Sequence, residues 1–250
     1  MTGTGAAPAA ADRVVGVLGG MGPDATSAFL QSVLRHSGPV ETDQQHVPLI
    51  LFNNPKVPDR NAALAGRGPS PEPALAAMAR ALERAGAEFL VMPCNTAHAY
   101  AHAVTTATGL PFVSIVEETC DAATALRPGL RRAGLLGTPA CIASGLYAGG
   151  FGARGVEAVC CDAAGMARFT ELLYAIKAGQ RGGGVRAGMA GLAAGLAQRG
   201  AEVIVAVCTE VPLVLGPGDL PLPLLDSLDV LASQCVRYSR RELELPHART

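Results

Sequence analysis

Residues 86–94 read GAEFLVMPC, and residues 200–208 read GAEVIVAVC. Both copies begin with Gly-Ala-Glu, continue through an apolar run and end in a cysteine, Cys94 or Cys208, and each follows an Ala- and Leu-rich stretch typical of a helix. A second pair matches in the same order, because residues 16–19 read GVLG and residues 134–137 read GLLG. Two ordered matches at similar spacing indicate that the chain contains a duplicated unit.

Short runs rich in Val, Ile and Leu alternate with Ala- and Leu-rich stretches along the chain. Strands of this composition, without polar alternation, are typical of parallel sheets buried beneath helices. We predict strands at residues 14–18, 48–52, 89–92, 112–116, 133–136, 156–160, 203–207 and 223–225, and helices at 25–36, 73–85, 120–126, 170–178, 185–199 and 228–240. The predicted fold class is α/β, with two similar Rossmann-like domains related by a pseudo-two-fold duplication and a site in the cleft between them.

The two halves are predicted to meet near residue 117. The last helix is expected to cross back onto the first half, so the first domain would comprise residues 13–117 and 226–245, and the second residues 118–225. Residues 1–12 are mainly Gly, Ala, Thr and Pro and lack the basic-then-apolar pattern of a signal peptide. We therefore expect a disordered N-terminal tail.

Composition excludes several classes of partner. The net charge is −1 and no basic stripe is present, which argues against binding to nucleic acid or to an anionic membrane surface. No apolar run reaches the length of about 18 residues that a transmembrane helix requires. The seven cysteines are odd in number and contain no C-x-x-C pair, a pattern that favours free thiols in a reducing, cytoplasmic setting. The expected partner is a small molecule.

Cys94 and Cys208 each come just after the C-terminal end of a predicted parallel strand. Open α/β sheets bind ligands at that edge, so two facing domains would place both thiols around one cleft. A helix that starts after each cysteine would favour the thiolate through its free N–H groups and dipole. A buried cysteine is more often inert filler, but these two differ from the other five in occupying equivalent repeat positions.

Two thiols around one cleft suit racemisation. That reaction removes a proton from one face of a carbon and returns a proton to the other face. A pair of groups on opposite sides can do this without either one crossing the plane of the substrate. One thiolate would abstract the proton while the other thiol donates, and the roles would reverse for the other enantiomer.

These residues carry a resemblance to a known family. The chain resembles the aspartate/glutamate racemase family, and most closely its aspartate racemase branch, from about Val14 to Tyr238. The matching segments are residues 19–26 (GGMGPDAT), 53–60 (NNPKVPDR), 93–98 (PCNTAH), 115–119 (IVEET), 176–179 (IKAG) and 208–210 (CTE). The resemblance implies two α/β domains, no pyridoxal phosphate, no metal, a homodimer, and an acidic amino acid as substrate, with aspartate first and glutamate as a further possibility.

The resemblance also implies a role for each matching residue. Cys94 and Cys208 would be the acid/base thiols, Cys94 acting on the D-enantiomer and Cys208 on the L-enantiomer. Arg60 and Lys177 would hold carboxylates. The remaining substrate contacts would come from Met21, Asn95, Thr96, Thr138 and Thr209. From the residues alone, a solvated loop residue is the favoured interpretation of Arg60, and Lys177 could equally be part of a solvated helix face.

Two further residues near the thiols have open roles. His98 is expected to support the Cys94 loop or the substrate, and Glu210 to orient a neighbour or tune a thiol, although an acid at a helix N-terminus needs no special function. Val207 stands where the family usually has Gly, and Cys141 where many members have a substrate-binding Thr. These departures leave the shape of the pocket, and hence the choice of amino acid, open.

Other chemistries fit the sequence less well. Residues 19–22 (GGMG) lack the spacing of a dinucleotide or phosphate loop, and a tight turn beside the substrate is the better interpretation. His98 and His102 share the i, i+4 spacing of metal ligands but have no third ligand in the sequence pattern. The remaining alternatives are hydantoin racemisation, maleate isomerisation or malonate decarboxylation on a related scaffold, and a catalytically silent amino-acid-binding protein.

Overall fold

The structure is a computed structural model that describes residues 11–216 and 218–247. Within these residues, all eight predicted strands are present. They are β1 (Val15–Gly19), β2 (Leu49–Asn53), β3 (Phe89–Val91), β4 (Phe112–Val113), β5 (Arg132–Leu136), β6 (Glu157–Cys160), β7 (Val203–Ala206) and β8 (Leu224–Asp226). Of the predicted tail, residues 1–10 lie outside the described part of the chain.

The strands form two parallel sheets with the same topology. The first has the order β2-β1-β3-β4 and the second the order β6-β5-β7-β8. In the first sheet Val15 of β1 pairs with Phe89 of β3, and in the second Ala133 of β5 pairs with Val203 of β7. The duplication and the α/β class predicted from the sequence are therefore confirmed.

Helices cover both sheets. In chain order they are α1 (Pro23–His36), α2 (Arg60–Leu64), α3 (Glu72–Arg84), α4 (Ala101–Thr105), α5 (Ile115–Leu126), α6 (Pro139–Ala143), α7 (Leu146–Gly152), α8 (Ala163–Lys177), α9 (Gly183–Gln198) and α10 (Ser227–Ser239). The six predicted helices correspond to α1, α3, α5, α8, α9 and α10. The short helices α2, α4, α6 and α7 were not predicted, because segments of five to seven residues are too short to show a helical period.

Two predicted boundaries are wrong by more than one helical turn. The helix expected from residue 170 begins at Ala163, where the Asp162 carboxylate accepts from the Gly165 N–H at 2.8 Å and caps it. The strand expected at residues 112–116 ends at Val113, and α5 begins at Ile115 rather than at Cys120. Ser114 explains the change, because its side-chain oxygen accepts a hydrogen bond from the Glu117 backbone N–H at 3.4 Å and caps the helix. The apolar pair Ile115 and Val116 is thus the buried first turn of a helix, not the end of a strand.

The last helix returns to the first half of the chain. On α1, the Ser32 hydroxyl donates to the Asp229 carboxylate of α10, and Arg35 Nη2 lies 3.1 Å from the same carboxylate. At the end of α10, Ser239 Oγ donates to the Arg13 carbonyl at 2.7 Å, directly before β1. This helix therefore packs where the sequence predicted, while the proposed domain limits themselves stay a prediction. No helix among residues 11–216 and 218–247 is long and apolar enough to cross a membrane.

Candidate active site

A cavity of about 490 Å³ opens where the C-terminal ends of the two sheets meet. Its volume lies within the usual range for small-molecule sites. Ten of the eleven predicted site residues line it: Met21, Arg60, Cys94, Asn95, Thr96, Thr138, Lys177, Cys208, Thr209 and Glu210. The eleventh, His98, lies behind the wall. The lining also includes residues that the sequence reasoning missed, among them Asp24, Asn61 and Arg181.

The turn from β1 into α1 forms one wall. Gly20 has a left-handed backbone with φ +93°, and a Cβ there would lie 2.4 Å from the Asn54 carbonyl carbon, so only glycine fits. The Gly20 N–H donates to Thr26 Oγ1 at 2.8 Å, which ties the turn to the first turns of α1. Met21 follows and is buried against the cavity. The segment acts as the tight turn predicted beside the site.

Cys94 lies three residues beyond the end of β3 and is buried. Burial raises the pKa of its thiol, and the nearby Arg60 guanidinium opposes that rise. Arg60, at the start of α2, donates through Nη1 to the Val57 and Pro58 carbonyls at 3.2 and 3.0 Å. One edge of the guanidinium thus anchors the loop, and its buried Nε has no hydrogen-bond partner among the described residues.

Cys208 occupies the equivalent place beyond β7 but has a different neighbour. Its Sγ donates to the Glu210 carboxylate, with Sγ 3.1 Å from Oε2, and the Thr209 hydroxyl donates to the same oxygen at 3.0 Å. Burial, together with the negative charge of Glu210, raises the pKa of the Cys208 thiol well above its usual value, and the Lys177 ammonium opposes this. The two thiols therefore match in topology and differ in charge environment.

Lys177 ends α8 at the rim of the cavity, where its side chain is half exposed. Its Nζ lies 3.5 Å from Glu210 Oε1, so the cation predicted to bind a substrate carboxylate already faces a protein carboxylate. At this exposure an ion pair is weak, typically worth under about 1 kcal/mol, and a substrate can compete for the lysine. Arg181, four residues further along, also lines the cavity and supplies another cation.

The other polar residues divide between scaffold and cavity. Thr138 Oγ1 accepts from the Cys141 N–H at 3.1 Å and caps α6, which leaves its own proton free to donate. Asn61 Oδ1 is buried and has no hydrogen-bond partner within the described residues. Both heteroatoms of the Asn95 side chain have protein partners, because Oδ1 accepts from Tyr147 at 2.5 Å and Nδ2 donates to Ser227 at 3.0 Å. Its predicted contact with substrate is untested.

His98 supports the Cys94 loop from behind. The Ile115 backbone N–H donates to Nε2 at 3.2 Å, so Nε2 carries no proton. Nδ1 must then be protonated, and it donates to the Cys94 carbonyl at 2.8 Å. Burial lowers the pKa of the imidazole to about 4, which keeps the ring neutral near pH 7. Of its two predicted roles, the structure therefore favours support of the loop.

The two departures from the family pattern have different consequences. A Cβ on Gly137 would lie 2.4 Å from Val207 Cγ2, so the Val207 side chain fills space that a glycine at position 137 leaves open. Cys141 is buried and is absent from the cavity lining. Burial raises the pKa of its thiol to about 12, which favours the neutral form. The larger residue is accommodated, and the extra thiol lies outside the cavity.

Comparison with known proteins matches this arrangement. The family model described as Asp/Glu/hydantoin racemase matches residues 18–235. A broad specificity amino-acid racemase of Bacillus subtilis is 28% identical over 228 residues, covering 89% of this chain and 96% of that protein. The Picrophilus torridus aspartate racemase superposes with a TM-score of 0.80 at 26% identity, covering 94% of this chain and 96% of the other.

A glutamate racemase from Francisella tularensis, solved with D-glutamate, shares the fold at a TM-score of 0.64 and 16% identity, covering 93% of this chain and 84% of the other. The matched region includes both cavity thiols and every strand except the first three residues of β1. The chain therefore belongs to the Asp/Glu/hydantoin racemase family and has the fold of its solved amino-acid racemases.

Proposed function

We propose that this protein interconverts L- and D-aspartate by proton transfer at Cα between Cys94 and Cys208, without pyridoxal phosphate or a metal. The observation that carries the proposal is the placement of two buried thiols, each from the end of an equivalent strand in a different sheet, in one cavity. A two-base transfer needs two proton carriers of this kind, one for each face of the substrate carbon.

The charge environments make the two thiols unequal acids. Burial raises the pKa of both, but Arg60 opposes the rise at Cys94, whereas Glu210 adds to it at Cys208, so Cys94 is the thiol that ionises more easily and acts first as the thiolate. In the forward step Cys94 Sγ takes the Cα proton and becomes a neutral thiol. The electron pair left on Cα takes the Sγ proton of Cys208 on the opposite face, which leaves Cys208 as the thiolate. The reverse step uses the same groups in the opposite order.

Substrate charges match the polar lining. The Arg60 guanidinium, which lines the cavity beside Cys94, can bind one carboxylate. Lys177 and Arg181 at the rim provide the second cationic region for a side-chain carboxylate. A doubly anionic amino acid pairs with both cationic regions at once, which supports aspartate and the longer glutamate.

A second candidate is racemisation of a wider range of amino acids. Two observations favour it: the cavity of about 490 Å³ has room beyond a small acidic side chain, and Lys177 is already paired with Glu210. The Bacillus subtilis relative is itself named a broad specificity amino-acid racemase. Incubation with each common L-amino acid, followed by chiral chromatography, separates the two candidates. Turnover confined to aspartate and glutamate supports the first, and comparable turnover of neutral or basic amino acids supports the second.

The central experiment replaces each thiol singly. Cys94→Ala and Cys208→Ala should each lower the rate of racemisation by about 10²–10⁴-fold, because one face of the carbon loses its proton carrier. Each variant should still exchange the α-proton of one enantiomer with solvent deuterium, L-aspartate for Cys94→Ala and D-aspartate for Cys208→Ala. Assays contain excess chelator and no pyridoxal phosphate, so retained wild-type activity also tests the absence of a cofactor.

Cys141→Ser is the matched control, because Cys141 is also buried but does not line the cavity. This variant should racemise at close to the wild-type rate. If a Cys94 or Cys208 single variant keeps near wild-type racemisation, the two-thiol mechanism is wrong. If the wild-type protein binds amino acids but neither racemises them nor exchanges their α-protons, a binding protein is the better interpretation.

A further inference from the structure

A continuous chain of buried hydrogen bonds joins the Cys94 loop to the end of β7, two residues before Cys208. Tyr147 of α7 donates to Asn95 Oδ1 at 2.5 Å, and Asn95 Nδ2 donates to Ser227 Oγ at 3.0 Å. Ser227, the first residue of α10, donates to the Ala206 carbonyl at 2.8 Å. Asn95 directly follows Cys94, and Ala206 lies two residues before Cys208.

The acceptor at the end of the chain fixes its direction. The Ala206 carbonyl can only accept, so the Ser227 hydroxyl must donate to it. Ser227 Oγ then accepts from the Asn95 amide nitrogen, which points Oδ1 toward Tyr147, where it accepts from the phenol. Tyr147, Asn95 and Ser227 are all nearly inaccessible to solvent. Removing one member would leave a buried polar atom without a partner, which costs more than the bond itself contributes.

We propose that Ser227 is a positioning residue that holds the Cys94 loop, through Asn95, and the end of β7 before Cys208, through the Ala206 carbonyl, at the separation that proton transfer requires. Tyr147 supports it by fixing the orientation of the Asn95 amide. The two thiols belong to different sheets, and no strand pairing joins those sheets within the described residues. The hydrogen-bonded chain is a direct polar connection between the Cys94 loop and the end of β7. It fixes the orientation of the Asn95 amide and leaves its second N–H free to donate into the cavity that Asn95 lines.

The inference rests on the proposed function only for its effect on activity. Proton transfer needs the donor atom aligned with the reacting carbon, and a misplacement of about 1 Å can cost about 10²-fold in rate. Loosening the tether should therefore lower kcat. It should leave KM largely unchanged, because the tether's protein contacts do not include Arg60 or Lys177.

The test variant is Tyr147→Phe, which removes one hydroxyl and keeps the buried ring. Tyr238→Phe is the matched control, because Tyr238 is also buried and donates to Glu118 at 2.8 Å, away from the cavity. For Tyr147→Phe we expect kcat to fall about ten- to hundred-fold with KM changed by less than about threefold. Tyr238→Phe should keep the wild-type kcat even if its Tm falls as much as the Tm of Tyr147→Phe. Ser227→Ala removes the link between Asn95 and the Ala206 carbonyl itself and should lower kcat at least as much as Tyr147→Phe.

Amide hydrogen exchange tests the tether without reference to activity. In Tyr147→Phe and Ser227→Ala, peptides covering residues 92–100 and 204–213 should both exchange faster than in the wild type, and in Tyr238→Phe neither should. Unchanged exchange in both loops overturns the tether, whatever the activity. Faster exchange with unchanged kcat overturns the positioning role. If the wild-type protein racemises nothing, the proposed function fails, and the exchange data still decide whether the tether exists.

Discussion

At the scale of single residues, the duplication produced two equivalent cysteines with unequal neighbours. Arg60 stands beside Cys94, and Glu210 accepts the hydrogen bond of Cys208. The neighbours come from different contexts: Arg60 starts a short helix after β2, and Glu210 follows Cys208 by two residues. Equivalent backbone positions therefore do not give equivalent acids, which suits a reaction that needs one proton donor and one acceptor at a time.

Substrate charge recognition is tested at the same scale. If Arg60 and Lys177 bind carboxylates, Arg60→Ala or Lys177→Ala should lower kcat/KM for aspartate about ten- to hundred-fold, because a hydrogen bond to a charged group contributes about 1.5–3 kcal/mol. Lys177→Ala should spare alanine, which has no side-chain carboxylate, whereas Arg60→Ala should impair both substrates. Steady-state kinetics on the two amino acids measure this. An equal loss on alanine and aspartate in Lys177→Ala would rule out recognition of the side chain by that lysine.

At the scale of elements, the site is built from loops that are capped and braced. Thr138 caps α6, Asp59 caps α2 by accepting from the Ala62 N–H at 2.7 Å, and His98 braces the Cys94 loop against the start of α5. The short helices α2 and α6 are the first helices after β2 and β5. Arg60 at the start of α2 and Thr138 at the N-cap of α6 both line the cavity. Their positions explain why residues distant in sequence surround one cavity.

The His98 brace predicts a pH dependence of stability. The pKa of His98 is about 4 in the folded protein and 6.5 for the free side chain. Between these pH values the imidazole is therefore protonated in the unfolded chain and neutral in the folded protein. Stability is thus fully present above about pH 6.5 and falls toward pH 4, by about 3 kcal/mol from this residue. Urea unfolding followed by circular dichroism at several pH values measures the slope.

His98→Gln provides the comparison, because an amide retains one donor and one acceptor but does not titrate in this range. Its free energy of unfolding should fall less steeply between pH 6.5 and pH 4, whatever its stability at pH 7. The difference in slope should correspond to the uptake of about one proton on unfolding. Parallel slopes for the two proteins would show that His98 is not held neutral by burial.

At the scale of the whole molecule, the two halves share a core. One continuous cluster of buried side chains contains Val17 of β1, Val205 of β7 and Leu231 of α10. It also includes Cys120 of α5 and Cys235 of α10. A core that crosses from one sheet to the other couples the halves, because neither can unfold without exposing apolar surface of its neighbour.

We therefore expect the two sheets to unfold together. The cysteines are native probes, since Cys94 and Cys208 are buried beside different sheets and Cys235 is buried in the shared core. Pulsed alkylation at increasing urea concentration, read for each cysteine by mass spectrometry, should give one common midpoint that coincides with the loss of circular dichroism. Separate midpoints for Cys94 and Cys208 would show that the halves unfold independently.

The amino-acid sequence was sufficient for the strands, the duplication, the α/β class and the convergence of the site residues on one cavity. The strands, the duplication and the placement of Cys94 and Cys208 depend on local apolar runs and on where each segment ends relative to a strand. The other substrate-binding residues were predicted from the resemblance to the racemase family. The boundary at residues 112–116 was wrong because Ser114 is a helix cap, and an apolar pair such as Ile115 and Val116 suits a strand as well as a buried helix turn.

Only the tertiary structure revealed which partner each side chain has. Tyr147 reaches Asn95 across 52 positions, and Asn95 reaches Ser227 across 132 positions. Two other contacts also join residues that are distant in the sequence: Lys177 pairs with Glu210, and Val207 fills the space that Gly137 leaves. Apolar periodicity is a local property and can be recognised in a single sequence. A hydrogen bond between distant residues depends on how the packed core orients both of them, and no local pattern encodes that orientation.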